Sequence, residues 1–393
     1  MGILDGIRVL DFGRYITAPF CCQLLADMGA DVIRVERPGG EADRLRGPIA
    51  ANGQSLYFVA LNRNKKDITL NLNSEKGRDL LRVLVKETDV LVHNLPAPRA
   101  QALGLDYQGL REINSRLVYL AVSGFGADGP YSRYTAFDPG IQALCGATAM
   151  TGLPGNPPTL SHIPYIDFNT GLYGALAVTL ALFHRERTGN GQSIDLAMFS
   201  AALSMVGSYG VLAEHAINGV SRSQVGNDLI YGVGGCYPTL DGDIIISILA
   251  NGLWRRLCKT IERLDLLDDP RFADDLARYD HRKEVNEAIK QWTMKHTADE
   301  AASILAEAGI PVGQVQEVGQ GADHPQAKAL DMVHTIEQPG LGPVLVSGIA
   351  MKFSDTPGEI RYPAPDVGQD NQEVYSRLLG PDALKKLTLD GVI

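Results

Sequence analysis

Short apolar stretches alternate with helix-like segments through the first third of the chain, and that alternation constrains the fold more than any other feature. Residues 7–12 read as a strand. A helix follows, opened by Thr17 or Pro19 and closed at Gly29, the residue type that most readily turns left-handed at a helix end. Residues 31–36, 89–92 and 117–122 read as further strands, and between the first two lies a helix capped by Ser74 that carries Leu80, Leu81 and Leu84. Helices between apolar strands imply right-handed crossovers and an open, doubly wound parallel sheet, an α/β, Rossmann-like large domain.

The pattern changes after about residue 220. Residues 228–250 hold a glycine-rich stretch and the strongly β-branched run 243–248, and residues 253–308 read as charged amphipathic helices. The expected organisation is a large α/β domain over 1–220, a smaller α+β domain over 221–330, and a Gly/Pro-rich segment over 331–393 that returns to the large domain. A chain of 393 residues is long enough for two cores.

A net charge of −10 argues against nucleic-acid or anionic-membrane partners. No early segment has signal-peptide character, and no apolar run is expected to span a membrane. Five cysteines without paired C-x-x-C spacing fit a reduced, cytoplasmic compartment, and adjacent Cys21 and Cys22 are expected to fill a helix face. The eight histidines show no metal spacing, and His93, His162 and His184 read as structural or solvent-facing.

Residues 124–129 (GFGADG) match the dinucleotide fingerprint literally. The sequence after them, PYSRY, opens no amphipathic helix, and no acidic residue follows at ribose distance, so a nicotinamide enzyme is not expected. Residues 232–235 (GVGG) read either as a hinge between domains or as a mobile loop whose amides approach a reacting carbonyl. Arg37 ends the second strand beside Glu36. It reads as one half of a surface ion pair or, at the carboxyl end of a parallel strand, as a phosphate contact.

Asp167 stands just before a long Ala/Leu-rich segment that closes at residues 187–191 and leads into an alternating strand. At the N-terminal end of a helix, unpaired N–H groups and the dipole favour an ionised carboxylate. Such a residue is either an inert cap or a nucleophile.

Taken in order, residues 4–12, 25–37, 61–66, 89–94, 123–126, Asp167 with Gly171, 187–195 and 309–315 are similar to the family III CoA-transferases. That group contains formyl-CoA transferase and crotonobetainyl-CoA:carnitine CoA-transferase. The resemblance spans essentially the whole length. It implies that Asp167 is the nucleophile of a ping-pong exchange through an aspartyl-CoA thioester, and that Gly234 and Gly235 belong to a loop shielding activated intermediates. It further implies CoA contacts from Arg37, from Leu70, Asn71, Leu72 and Asn73 in a strand segment beside the adenine, and from Asn94, Leu95 and Pro96 in a strand-end loop. Ala102 and Thr135 occupy places where relatives carry an arginine and a lysine, so two cationic contacts are absent, and Lys65, Lys66 or Arg99 are the candidates to replace them. Asp138 lies near the CoA arm or is a structural cap.

The racemases of the same fold use a histidine where this chain has Phe137, and Phe cannot move a proton. Ile16 replaces a glutamine that formyl-CoA transferase uses near its small substrate. The implied activity is therefore transfer of CoA from an acyl-CoA to a short-chain acid, carnitine-like or dicarboxylic. A racemase or a non-catalytic CoA-binding protein are the alternatives. Coenzyme A is a substrate, no cofactor is tightly bound, and an interlocked homodimer is expected.

Overall fold

The computed structural model describes residues 2–393, which form two compact units. The larger comprises residues 2–146, 162–219 and 325–393, and the smaller residues 147–161 and 220–324. Residues 147–161, placed in the large domain on sequence, therefore group with the smaller unit.

The larger unit runs β1 (Arg8–Phe12), α1 (Thr17–Asp27), β2 (Asp31–Glu36), α2 (Leu56–Asn62), β3 (Lys65–Thr69), α3 (Glu75–Val85), β4 (Val90–His93), α4 (Ala97–Ala102), α5 (Tyr107–Ile113), β5 (Val118–Ser123), α6 (Asp138–Leu144), α7 (Tyr165–Thr188), β6 (Ser193–Ala197) and α8 (Met198–Ser208). Its six strands pair in parallel in the order β3-β2-β1-β4-β5-β6. Chain direction across the sheet reverses between β1 and β4, the place where open α/β sheets leave a crevice at the strand ends.

Successive strand residues feed two cores. Leu10, Ile33 and Leu91 pack on one face with Leu80, Leu81 and Leu84 of α3. Val9, Val32, Val90 and Leu120 pack on the other with Cys21 and Cys22 of α1, as the adjacent cysteines suggested. Each fully buried Val or Leu contributes about 1.5–3 kcal/mol. Helix α1 ends where Gly29 turns left-handed at φ +107°. Helix α3 starts where Ser74 accepts the Gly77 amide at 3.0 Å.

Strand β3 escapes sequence patterning because its sequence, KKDIT, is mostly charged. Lys65 and Asp67 are buried and matched there, while Lys66 is partly exposed. Lys65 Nζ lies 2.8 Å from Asp11 Oδ2, and donates to Pro19 O at 2.9 Å and Asn62 Oδ1 at 3.0 Å. Arg34 meets Glu36, Asp43 at 2.9 Å and the Gly13 carbonyl at 3.1 Å, while Arg44 reaches Glu36 at 2.9 Å and Asp67 at 3.1 Å. Burial would push the Asp11 carboxyl up, but the Lys65 ammonium and the Arg34 guanidinium hold it below its ordinary range. The expected strand at residues 70–73 is instead the turn after β3, where Asn73 N donates to Asn71 Oδ1 at 3.2 Å.

The last 69 residues of the chain, 325–393, carry the antiparallel hairpin β10 (Val333–Gln338) and β11 (Gly342–Ser347). They are stitched to the sheet by Arg63 donating to Ser347 O at 2.6 Å and Asn71 N to Val392 O at 2.8 Å.

The smaller unit holds an antiparallel sheet of β7 (Val233–Pro238), β8 (Asp243–Ile248) and β9 (Val312–Gln314). Helices Asn251–Thr260, Arg282–Thr293 and Ala298–Glu307 bury Trp254, Ile289 and Leu305 against Ile244, Ile246 and Ile248. The stretch read as a hinge or mobile loop is corrected here: Gly234 and Gly235 are buried residues of paired strand β7. Glycine is needed because a Cβ on Gly234 would lie 2.1 Å from Ile246 O, and one on Gly235 2.3 Å from Asn227 O.

Replacing Lys65 with Met would strand the buried Asp11 charge. Lys65→Met is expected to lower stability by about 3–5 kcal/mol in urea denaturation at neutral pH. A loss under about 1 kcal/mol would show that the pair is not what holds the β1 and β3 ends together.

Candidate active site

Two cavities open along the carboxyl ends of the strands of the larger unit. The smaller, about 170 Å³, is walled by residues that follow β1, β2, β3 and β4, including Arg37, Leu70, Asn71, Leu72, Asn73 and Arg99. The larger, about 870 Å³, has in its wall residues 14–17 after β1, 93–101 at the end of β4, Ser123, Gly124, Gly126 and Ala127 at the end of β5, the connection 132–137, and the carboxylates Asp106, Asp167 and Asp195. Arg14, Leu95 and Arg99 line both, so the two follow one another across the point where the strand order reverses.

Turn geometry shapes this rim. Asn94 accepts the Arg14 amide at 2.8 Å and donates to Arg14 O at 2.6 Å and Thr17 Oγ1 at 3.1 Å, so its side chain ties the β4 end to the β1 turn. Tyr15 in that turn is left-handed at φ +63°, its amide held by Asp43 at 3.2 Å. Its ring meets Phe137 edge-on at 5.6 Å in the cavity wall. No sequence signal marks a tyrosine for that conformation. The GFGADG segment forms the turn after β5 and starts no helix. Gly126 N donates to Ser123 Oγ at 2.8 Å and Ala127 N to Asp195 Oδ2 at 2.8 Å.

Asp167 sits in the first turn of α7, half-buried at the cavity wall. This helix is the one among the described residues long and apolar enough to cross a membrane, contrary to the expectation that no such run exists. One face is nevertheless core: Val178, Ala181 and Leu182 are buried, and Gly171 and Gly174 let it close on α1. A Cβ on Gly171 would lie 2.9 Å from Thr17 O.

The first-turn amides of α7 are all engaged. Tyr165 N donates to Ile163 O at 2.8 Å and Phe168 N to Pro164 O at 3.2 Å. Ile166 N and Asp167 N both donate to Asp138 Oδ2, at 2.7 and 3.0 Å. Asp138 thus caps α7, is buried, and is not among the residues that line either cavity. Asp167 is not the cap, and the helix-end amides expected to stabilise it are taken. Burial first, and the Asp138 charge second, push the Asp167 carboxyl up to about 7, which corrects the expectation of a firmly ionised group. The sequence hid this because Asp138 precedes Pro139 and reads as the start of its own short helix.

The other candidates divide. Arg37, exposed, donates to Gly40 O at 2.9 Å and lines the smaller cavity. Thr135 and Pro96 line the larger, whereas Ala102 is exposed at the end of α4 and lines neither. Lys65 is consumed by its buried pair, and Lys66 by Glu373 at 2.7 Å and Asp31 at 3.3 Å. Arg99 lines both cavities and donates to Asn73 Oδ1 at 3.0 Å. Arg133, overlooked on sequence, lines the larger cavity two residues before Thr135, and that proximity was its only signal. His93 is buried, bonded to the Tyr119 hydroxyl at 2.6 Å, and burial lowers it to about 4, so it is structural. Gly234 and Gly235 lie in the smaller unit.

The family model described as CoA-transferase family III matches residues 4–371. A succinyl-CoA–D-citramalate CoA-transferase from Chloroflexus aurantiacus is 34% identical over 96% of this chain and 94% of its own length. A formyl-CoA:oxalate CoA-transferase from Streptomyces avermitilis is 32% identical over 99% of each. The crystal structure of a CAIB/BAIF family protein from Brucella suis superposes with a TM-score of 0.83, is 32% identical, and covers 96% of this chain and 100% of that one. With its parallel six-stranded sheet, its strand-end cavities and a match across nearly its whole length, this chain belongs to CoA-transferase family III.

Proposed function

We propose that this enzyme exchanges CoA between an acyl-CoA and a short-chain acid, a dicarboxylic acid longer than oxalate rather than formate or oxalate, through a thioester on Asp167. One observation carries the reading: of the carboxylates that line the large cavity, Asp106 accepts the Gly109 amide and Asp195 the Ala127 amide, whereas Asp167, in the first turn of α7, has no hydrogen-bond donor on it among the described residues. A half-buried carboxylate that faces a strand-end cavity and caps nothing is free to act as a nucleophile.

In the proposed sequence, an Asp167 oxygen attacks the donor's thioester carbonyl, the C–S bond breaks, and a mixed anhydride and CoA thiolate result. The thiolate attacks the aspartyl carbonyl and releases the donor acid, leaving aspartyl-CoA. The acceptor carboxylate then attacks that thioester, forming a second anhydride and freeing thiolate. Thiolate attack on the acceptor's acyl carbon gives the new acyl-CoA and restores Asp167. No bond energy is lost to water at any step.

Phe137 in the cavity wall offers no proton carrier, which favours transfer over racemisation. The names of relatives do not select the acid, since 34% and 32% identity accompany different acids. Apolar Ile16 in the wall disfavours formate and oxalate, and the preference for a longer dicarboxylic acid rests on that residue. The nucleotide is proposed to lie along the small cavity beside Arg37 and residues 70–73, with Arg99 and Arg133 replacing the cations missing at Ala102 and Thr135. The shielding role of Gly234 and Gly235 rests on the resemblance alone, and the pairing of β7 gives it no support. A homodimer, interlocked as the resemblance implies, fits the exposed Leu172, Leu176, Leu180 and Phe183 along α7, and five unpaired cysteines fit a cytoplasmic location.

Hydroxylamine added with succinyl-CoA is expected to convert Asp167, and no other carboxylate, to a hydroxamate seen by peptide mass spectrometry. Asp167→Asn is expected to cost at least about a thousandfold in kcat. Modification elsewhere, or a near-normal Asn variant, would reject the nucleophile. Arg99→Ala and Arg133→Ala are each expected to raise KM for acyl-CoA about tenfold with kcat little changed, as loss of a charged hydrogen bond predicts. Unchanged KM in both would place the CoA phosphates elsewhere.

A further inference from the structure

We infer that Asp138 is a positioning residue for CoA transfer: it caps the start of helix α7 through the Ile166 and Asp167 amides and thereby fixes a second carboxylate beside the half-buried residue that faces the cavity. This rests on Asp167 being the nucleophile.

Two carboxylates meet at one helix start with unequal support. Asp138 is buried and receives three donors: the Ile166 and Asp167 amides at 2.7 and 3.0 Å, and the Gln142 side-chain amide. Asp167 receives none among the described residues. Donors favour the charged form of the group they serve, and two close carboxylates do not both ionise easily. Protein donors therefore support Asp138, and Asp167 bears the repulsion without any. The backbone fixes this asymmetry, because the amide of Asp167 itself is bonded to Asp138.

Burial and then Asp138 bring Asp167 to about 7. The other titratable groups that face the pair are Tyr57 from α2, which lies toward Asp167, and Tyr165, which lies toward Asp138 and has Cys145 beside it. The Tyr57 and Tyr165 hydroxyls are pushed up, chiefly by burial, and stay neutral through this range. The sign follows. Below about 7 Asp167 is a neutral acid that cannot attack, and above it Asp167 is a carboxylate more basic, hence more nucleophilic, than an ordinary one. A nucleophile of that basicity forms its anhydride with a thioester more readily than an ordinary aspartate does.

The test follows the carboxyl carbon of Asp167 by NMR in protein labelled with carbon-13 at aspartate, the signal being assigned by its loss in Asp167→Asn. Asp138→Asn and Asp138→Ser both keep a neutral acceptor for the α7 amides, so at least one is expected to fold with a near-normal melting temperature. The wild-type midpoint is expected near 7, and the variant midpoint lower by about one pH unit or more. The acid limb of kcat/KM is expected to move down with it. A wild-type midpoint in the ordinary carboxylate range, or a midpoint unmoved in a folded variant, overturns the role of Asp138. If the NMR midpoint moves and the acid limb stays, the electrostatic coupling holds, and the assignment of Asp167 as nucleophile is what fails.

Discussion

The buried pair between Lys65 and Asp11 is the contact on which the rest of the site depends. It joins the end of β1 to the start of β3 across β2, and the same lysine holds Pro19 O in the first turn of α1. Asp11 in turn accepts the Gly13 amide at 2.7 Å, and Arg34 binds the Gly13 carbonyl from below. The turn that carries Tyr15, Ile16 and Thr17 into the large cavity is thereby held by charges sealed from water. An isolated buried ion would cost several kcal/mol, so the arrangement stands only because each charge is matched and hydrogen-bonded.

A second constraint acts at the helix that presents Asp167. The start of an α-helix ordinarily lowers the basicity of a nearby carboxylate. Here the donors that would do so are spent on Asp138, and the dipole's benefit goes to the cap rather than to the residue facing the cavity. Position at a helix start and stabilisation by it are separable. The cavity side of the turn keeps a carboxylate that burial and a neighbouring charge make more basic.

Local patterns revealed the parts of the fold that local forces build. Gly29 and Ser74 marked helix ends, and the apolar runs at 31–36 and 243–248 marked strands, because those residues act within a turn or a strand of themselves. Strand β3 was illegible because its Lys65 and Asp67 are matched by partners far along the chain. The glycines at 234 and 235 suggested mobility, while the actual demand on them is close approach by Ile246 O and Asn227 O. Asp167 stood out on sequence, but the residue that sets its charge lies 29 positions earlier, across a connection whose path no periodicity reveals. Arg133 was hidden for the same reason, since only the folded rim shows which cations face the cavity.

The central claim is that CoA is carried on Asp167 at the reversal point of the sheet. A crystal structure of the enzyme flash-cooled after mixing with succinyl-CoA, without an acceptor acid, tests it most directly. The account predicts continuous density from Asp167 Cγ to the CoA sulfur, with the nucleotide lying over the carboxyl ends of β1, β2 and β3. Unmodified Asp167 beside bound CoA, or a thioester on any other carboxylate, would contradict it.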